Sequence, residues 1–394
     1  MKTVPMSSPD LTVAEIESVD RVLNSPYLSF GPHLAAFEQG IADKVSAAHG
    51  VGVNSGTSGL HLCVIAAGVE EGDLVITTPF SFVASANCIL YERAIPVFAD
   101  VDPITGNIDP KLVIEAVEDL SRQGNDQLRW LPPAIQETGV TKGRLKAILP
   151  VHAFGQPADM DPIMNVASQH GLFVIEDSCE AIGAEYKGQK AGTIGHAGVF
   201  AFYPNKQMTT GEGGMIVTDD AEWANLFRSL RNQGRDVFDG WLNHTRLGYN
   251  YRLDEMSAAL GLVQLQRIEE LLAKREQVAA WYNERLADTE LIERPTIDPK
   301  TNRMSWFVYV IRVKPPADRN TLMQRLEEAG IPSRPYFSPI HLQPFYRKMF
   351  GYKRGDFPIT EYLGDVSLAL PFSSIMSEDQ VDQVCDALRQ ALKS

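Results

Sequence analysis

The sequence predicts an α/β fold with a mostly parallel sheet, followed by a smaller C-terminal α+β region. Between residues 74 and 220, short apolar and β-branched segments alternate with segments of helical periodicity. Strands that are apolar along their whole length are typical of parallel sheets, because helices cover both faces. From residue 253 onward the pattern changes to long runs of helix formers. A chain of 394 residues is also long enough for two domains.

The predicted strands and helices of the first region alternate along the chain. Strands are predicted at LVITTPF, IPVFADVD, KAILPVHAFG, GLFVIEDSC, GVFAFYP and GGMIVTDD, and helices at SFVASANCILYE, Asp161 to His170 and AEWANLFRSLRNQG. Parallel neighbours need long crossover connections, which helices commonly supply. The order of the segments therefore supports the parallel sheet.

The second region is predicted to begin with one long helix near residues 253–287, where apolar residues recur at close to helical spacing. Helices of globular proteins usually have roughly 8–20 residues, so a helix of this length is expected to connect two domains. We therefore predict a large domain over residues 1–270 and a small domain over residues 271–394. The small domain is expected to contain the strand SWFVYVIRV, the helix RNTLMQRLEEAG and a final helix that Ser377 caps.

The composition argues against several functional classes. The chain has 36 basic and 50 acidic side chains and a net charge of −14, which disfavours binding to nucleic acid. It has no apolar run after a basic start, and prolines and polar residues interrupt its longest charge-free stretch, so we expect neither a signal peptide nor a membrane span. The four separated cysteines favour reduced thiols in a cytoplasmic protein, and the histidine spacing predicts no metal site.

A loop of small residues, Ser55 to Gly59, connects a short apolar segment to the start of helical periodicity. Free backbone N–H groups and the helix dipole make such a helix start suitable for a phosphate. The hydroxyls of Ser55, Thr57 and Ser58 could add hydrogen bonds. The alternative is a capped helix start without a ligand, because serine and threonine are common caps.

Two further motifs carry reactive side chains. Glu176 and Asp177 follow the strand LFVI, and the carboxyl end of a parallel strand is where α/β folds bind ligands. Lys206 lies between an aromatic-rich strand and the turn TTGEGG. The alternatives are a helix cap for the acidic pair and an ordinary surface position for the lysine.

The three motifs together match the needs of one cofactor, pyridoxal 5'-phosphate (PLP). PLP requires an anion cradle, a lysine that forms a Schiff base and a carboxylate that keeps the pyridine nitrogen protonated. An aromatic side chain is also expected against the ring, and Phe82 follows another predicted strand. We therefore predict a PLP site that contains Lys206 and Asp177.

Several motifs resemble those of the DegT/DnrJ/EryC1/StrS family of PLP-dependent sugar aminotransferases. They are SGTSGLHL, TTPFSFVASANCIL, VIEDSCEAIGAEY, FYPNKQMTTGEGGMIVTDD and LGYNYRLDEMSAALGLVQL, and the similarity extends from GPHLAAFE to LALPFSS. The resemblance implies the aspartate-aminotransferase-like fold, called fold type I, for the PLP domain.

The resemblance also implies roles for residues that bind the cofactor. Lys206 would carry the Schiff base, and Asp177 would pair with the pyridine nitrogen. Phe82 would stack on the ring. The phosphate would lie at Gly56, Thr57 and Ser58.

Three other positions are notable in this comparison. Asn250, in GYNYR, would reach the phosphate of the neighbouring subunit, which implies a homodimer with shared active sites. Glu180 occupies a position beside the ring where relatives carry His or Gln. Ala201 replaces a serine that many relatives use as a phosphate ligand.

The implied reaction moves an amino group, with glutamate as the usual donor, to carbon 3 or carbon 4 of a nucleotide-linked keto-sugar. Both half-reactions would use one site, so ping-pong kinetics are expected, and Lys206 would also move a proton. Candidate substrate contacts are Tyr336 and His341 in RPYFSPIHLQPFY and Arg231 in RSLRNQGR. The alternatives are a packed loop position for the histidine and a solvated helix face for the arginine.

Other functions remain open on the same scaffold. One is an aminotransferase for a cyclitol or another keto compound, and another is a non-catalytic regulatory protein that keeps the fold. A dehydratase branch of the family has histidine in place of the lysine, so Lys206 argues against that activity. Polysaccharide and antibiotic-sugar biosynthesis are both compatible with the resemblance.

Overall fold

A computed structural model describes residues 4–122, 125–138, 143–236 and 243–393. The helices are α1 (Val13–Leu23), α2 (Pro32–Val45), α3 (Gly56–Ala66), α4 (Ala84–Tyr91), α5 (Pro110–Ser121), α6 (Pro133–Thr138), α7 (Met160–His170), α8 (Ala221–Leu230), α9 (Glu255–Gln266), α10 (Ile268–Arg285), α11 (Arg319–Glu328), α12 (Pro344–Phe350), α13 (Pro358–Val366) and α14 (Glu378–Lys393), with short 3₁₀ helices at Asn125–Trp130, Ala153–Gly155 and Ile340–Leu342. The strands are β1 (His49–Val53), β2 (Leu74–Thr77), β3 (Ile95–Phe98), β4 (Leu145–Leu149), β5 (Phe173–Asp177), β6 (Glu185–Tyr186), β7 (Gln189–Lys190), β8 (Ala197–Ala201), β9 (Gly214–Thr218), β10 (Ile292–Glu293), β11 (Thr301–Arg303), β12 (Tyr309–Val313), β13 (Arg334–Pro335) and β14 (Ser367–Leu370).

A seven-stranded sheet in the order β1-β9-β8-β5-β4-β2-β3 forms the centre of the fold. The pairs β2–β3, β2–β4, β4–β5 and β5–β8 are parallel, and β9 runs antiparallel to both β8 and β1. Every residue of β2 and β9 is buried, as expected for strands that helices cover on both faces. The predicted α/β class with a mostly parallel sheet is therefore confirmed.

A second sheet, in the order β10-β12-β14-β13, is antiparallel throughout. Apolar side chains of β10, β12 and β14 share a hydrophobic core with buried residues of α10, α11 and α14. A small three-stranded sheet, β11-β6-β7, pairs a segment from each half of the chain. The C-terminal region is thus a mixture of helices and antiparallel strands.

The long helix predicted near residues 253–287 is instead two helices, α9 and α10, that meet at Arg267. The backbone of Arg267 leaves helical geometry there, with φ −96° and ψ 2°. Its guanidinium bonds to Glu270 of α10 and to the carboxylates of Asp10 and Glu15. The prediction of one continuous helix was wrong because residue periodicity does not record this break.

Helix α10 connects two hydrophobic cores. Its first turns place Leu271 and Leu272 in a core with Phe202 and other residues beside the central sheet. Its later turns place Val278 and Tyr282 in the core of the C-terminal region. The division at residues 270 and 271 stays a prediction.

The N-terminal segment packs against the C-terminal region and not only against the predicted large domain. Val4 is buried in the same core as Tyr282, and the carbonyl of Met6 accepts a hydrogen bond of 3.0 Å from the N–H of Phe372. Within the described ranges, the apolar stretch of every helix is too short for a membrane crossing.

Candidate active site

A cavity of about 800 Å³ opens at the carboxyl ends of β1, β2, β4, β5 and β8. Its walls come from the loops after these strands, from residues 335–345 and from Phe307. Ligands of open α/β sheets bind at this edge. The predicted site residues that line the cavity are Gly56, Thr57, Phe82, Asp177, Glu180, Lys206 and Tyr336.

The start of α3 forms one wall of the cavity. Ser55 is the N-cap, and its side chain accepts a hydrogen bond of 3.1 Å from the N–H of Ser58. A Cβ atom at Gly56 would lie 2.7 Å from Cys179 Sγ and 2.8 Å from Ala201 Cβ, so a larger residue would not fit without a shift. This close packing leaves the N–H groups of the first helical turn near the cavity, where they can hold an anion.

Ser58 has a different position from the one predicted. Its hydroxyl donates to Asn54 Oδ1 at 2.7 Å and also contacts the Ser55 hydroxyl, and Ser58 does not line the cavity. Its side chain therefore stabilises the helix start, which was the alternative interpretation of this loop.

The two adjacent carboxylates at the end of β5 face opposite sides, as alternation along a strand requires. Asp177 lines the cavity, where its Oδ2 accepts a hydrogen bond of 2.6 Å from Ser85 and its Oδ1 accepts one of 3.2 Å from the N–H of Cys179. Glu176 is fully buried behind it and accepts hydrogen bonds from His152 and from three backbone N–H groups of residues 192–195. Only Asp177 is available to a ligand.

Lys206 lies in the connection between β8 and β9. Its Nζ is 3.6 Å from Glu180 Oε1 and 3.8 Å from the centre of the Phe307 ring. The side chain is 13% exposed, so the amine is enclosed but open to the cavity. Phe307 was missed by the sequence analysis, which assigned SWFVYVIRV only to a strand.

Glu180 is held between the amine and the main chain. Its Oε2 accepts a hydrogen bond of 2.9 Å from the N–H of Phe154. Burial raises the pKa of Glu180, while the nearby Lys206 opposes this effect. Burial, together with the charge of Glu180, also raises the pKa of Tyr336 to about 12, so this phenol stays protonated at neutral pH.

Two of the predicted substrate contacts lie outside the cavity. His341 is fully buried, its Nε2 is 3.0 Å from Glu361 Oε1, and its pKa is lowered by burial. Arg231 is also buried, and it donates to Glu38 and to the carbonyl of Gly52. Both side chains bond to other parts of the fold and do not reach the cavity, so the structure does not bring them together with the other predicted site residues.

Asn250 is exposed and is not part of this chain's cavity. It follows Tyr249 and precedes Tyr251, whose rings stack with centroids 5.0 Å apart and both pack against His61. The two rings therefore hold the segment against His61 of α3, and the exposed Asn250 lies outside the cavity lining.

The residues present fit PLP. The described lining contains one cationic side chain, Lys206, and three carboxylates, those of Asp177, Glu180 and Glu212. The amine, the buried carboxylate of Asp177 and the start of α3 are the three groups that PLP needs. In the part of the chain that the structure describes, no group of three or more His, Cys, Asp or Glu side chains could hold a metal ion.

Comparisons with known proteins agree with this geometry. The model of the DegT/DnrJ/EryC1/StrS aminotransferase family matches residues 9–389. The spore coat polysaccharide biosynthesis protein SpsC of Bacillus subtilis is 37% identical over 403 residues, which cover 99% of this chain and 97% of that protein. The GDP-perosamine synthase of Caulobacter vibrioides is 36% identical over 393 residues, with coverage of 99% and 98%. Among solved structures, DesV of S. venezuelae in complex with a ketimine intermediate has a TM-score of 0.86 and 32% identity, with coverage of 99% and 98%.

Proposed function

Because the chain belongs to the DegT/DnrJ/EryC1/StrS aminotransferase family, we propose that it transfers an amino group from glutamate to a keto group of a nucleotide-linked sugar. The protein is a PLP-dependent sugar aminotransferase, as its family and relatives establish. The donor, the nucleotide, the position of the keto group and the ping-pong order belong to the proposal.

The observation that carries the proposal is the meeting of Lys206, Asp177 and the start of α3 at one cavity. When bound, PLP supplies an electron-withdrawing ring that stabilises negative charge on the substrate carbon. Asp177 would hold the proton on the ring nitrogen. The N–H groups of Gly56 and Thr57 would bind the phosphate, and Phe82 would cover a face of the ring.

Lys206 would have two tasks, because its amine binds the cofactor covalently and afterwards moves a proton at the substrate carbon. The 3.6 Å separation from Glu180 supports the second task, because a neighbouring carboxylate can hold the amine in place between proton transfers. The ring of Phe307 contacts the amine from another side and restricts its position.

Aromatic side chains at the cavity support a sugar or base as the second substrate. Besides Phe82, Tyr203 and Phe345 line the cavity and are 52% and 43% exposed. Exposed rings of this kind can stack on a base or on the apolar face of a sugar. Tyr336, the one predicted substrate contact that lines the cavity, adds a protonated phenol.

A homodimer with shared active sites is part of the proposal. The described lining of one chain has more carboxylates than amines, although the cofactor and a nucleotide diphosphate are both anionic. Asn250 is exposed and Arg252 lies two residues after it, so this segment can supply polar and cationic groups to the cavity of a second copy. The exposure of Asn250 outside its own cavity supports this arrangement.

The first test uses the purified protein with added PLP. Wild type should develop a visible cofactor absorbance that Lys206→Ala abolishes, whereas Lys187→Ala, at a surface lysine paired with Asp161, should keep it.

The second test is the reaction itself. With glutamate as the donor, nucleotide keto-sugars should gain an amino group that mass spectrometry detects. GDP-linked sugars are tested first because of the named relative. A colourless wild type, or no aminated product from 3-keto or 4-keto sugars, would reject the proposal.

A further inference from the structure

Arg275, on α10, is a buried cation without a carboxylate partner in the described ranges. It is among the largest fully buried side chains, with 2% of its surface exposed. Burial lowers its pKa to about 10, so it remains charged at neutral pH. Removing a charge from water is costly unless hydrogen bonds compensate it. Its partners therefore indicate why this position carries an arginine.

All the acceptors recorded for Arg275 are main-chain carbonyls, and they belong to two segments of the active site. One terminal nitrogen donates to the carbonyl of Lys206 at 2.7 Å and to that of Asn205 at 3.2 Å. The other donates to the carbonyls of Phe307 at 3.1 Å and Trp306 at 3.3 Å. One guanidinium thus connects the segment that carries Lys206 with the segment that carries Phe307, whose ring contacts the Lys206 amine.

We propose that Arg275 is a positioning residue that sets the place of the Lys206 amine by holding the 205–206 and 306–307 segments at a fixed distance. The proposal rests on the proposed function, in which Lys206 binds PLP. Its geometric basis is that Lys206 Nζ lies 3.8 Å from the centre of the Phe307 ring, while Arg275 bonds to the backbone of both residues.

An arginine suits this task better than a lysine or an apolar residue. Its planar fork presents two terminal nitrogens in a fixed arrangement, whereas a lysine carries a single compact ammonium. Charge-assisted hydrogen bonds are also stronger than neutral ones. Gln207 adds a second link, because its Nε2 donates to the hydroxyl of Ser305 at 2.9 Å. Hydrogen bonds therefore connect the residues before and after Lys206 to the 305–307 segment, and Arg275 makes most of these bonds.

The test compares Arg275→Met with Arg285→Met, which removes another arginine of α10 whose partners are Glu378 and Asp382 of α14. Hydrogen exchange is followed by mass spectrometry on the full chain without cofactor. In Arg275→Met, peptides over 203–208 and 304–308 should exchange about tenfold faster, because lost hydrogen bonds to a charged group permit local opening. A peptide over β4 should keep its rate. Arg285→Met should leave both active-site peptides unchanged.

A second measurement detects the effect on the amine. After titration with PLP and reduction with borohydride, the fraction of Lys206 that carries the cofactor is measured by peptide mass. The half-saturating PLP concentration should be about tenfold higher in Arg275→Met and unchanged in Arg285→Met. Arg275→Lys keeps the charge but not the fork, so it replaces the methionine variant if that variant does not fold, and it should show the same two changes in weaker form.

Three outcomes would overturn the inference. In Arg275→Met, the first is a wild-type exchange rate in either active-site peptide, and the second is an equal increase of the exchange rate over the whole chain. The third is faster exchange in both peptides with an unchanged half-saturating PLP concentration for attachment at Lys206. A wild-type protein that attaches no PLP at Lys206 would reject the proposed function instead. The exchange comparison would then still decide whether Arg275 holds the two segments.

Discussion

Glu176 and Asp177 are adjacent in the sequence but have separate tasks. Asp177→Asn is expected to lower turnover about 100-fold or more, because an amide cannot balance the charge of a protonated ring nitrogen. It should change the free energy of unfolding of the cofactor-free protein only slightly. Steady-state kinetics and urea denaturation measure the two effects.

Glu176→Gln is the matched comparison. An amide at this buried position would turn an N–H group toward the donors of residues 192–195, so the free energy of unfolding should fall by about 2–4 kcal/mol. Cofactor absorbance of the folded protein should remain. Equal effects of the two substitutions on both measurements would contradict the division of tasks.

Glu180 gives a pH-dependent prediction. Its raised pKa means that the ionised carboxylate destabilises the folded protein at pH values above that pKa, and the cost disappears as the pH falls toward 4.5, the value of the free group. Glu180→Gln should therefore raise the free energy of unfolding of the cofactor-free protein at pH 8. The gain should vanish in acid. Urea denaturation between pH 8 and pH 4.5 measures this difference, and Glu290→Gln, at an exposed position, is the control. A stabilisation by Glu180→Gln that increases as the pH falls would contradict the prediction.

The junction of α9 and α10 depends on Arg267. Although burial opposes the change, hydrogen bonds from Thr12, Arg267 and Gln264 lower the pKa of Glu15 to about 2. Its stabilising contribution is therefore present above pH 4.5 and is lost as the pH falls toward 2. Arg267→Met should lower the free energy of unfolding by about 2–4 kcal/mol at pH 7 and by less at pH 3.

A matched variant separates this effect from ordinary surface charge. Arg354→Met removes an exposed pair with Asp365 and should cost about 0–1 kcal/mol. Thermal and urea unfolding at both pH values provide the comparison. A loss for Arg267→Met no larger than that of the control would show that the junction does not depend on this arginine.

The elements of the fold and the groups of the site differ in how far the sequence alone could predict them. Strand alternation and the motifs around Lys206 are local. They identified the parallel sheet, which the strand pairing confirms, and the family and PLP, which the family match confirms. The partners of His341 and Arg231 are Glu361 and Glu38, and local patterns do not reveal such contacts. Phe307 and Arg275 were missed for the same reason, since their roles follow from tertiary packing.

The proposed shared sites predict complementation between two inactive chains. If each site combines Lys206 of one chain with Asn250 of the other, Lys206→Ala inactivates the site of its own chain and Asn250→Ala inactivates the site of the neighbouring chain. In a mixed dimer, one site carries both substitutions and the other carries none. An equal, reassociated mixture should therefore recover about a quarter of wild-type activity, because about half of its dimers are mixed. The measurement is the amination rate of this mixture after subunit exchange.

Each variant alone and a simple mixture without subunit exchange are the controls. Activity that stays absent after exchange, with dimers confirmed by sedimentation, would place Asn250 and Lys206 in sites of the same chain. It would leave the assignment of Lys206 itself untouched.

The shared core of Val4 with the last helices also constrains how the protein is made. Translation delivers Val4 early and Ala391 late, yet both belong to one hydrophobic core. Contacts between residues so far apart in sequence form slowly, since a long loop must close first. The central sheet can assemble on the ribosome, whereas this core has to wait until α14 has been synthesised, and its apolar strands need protection in the interval.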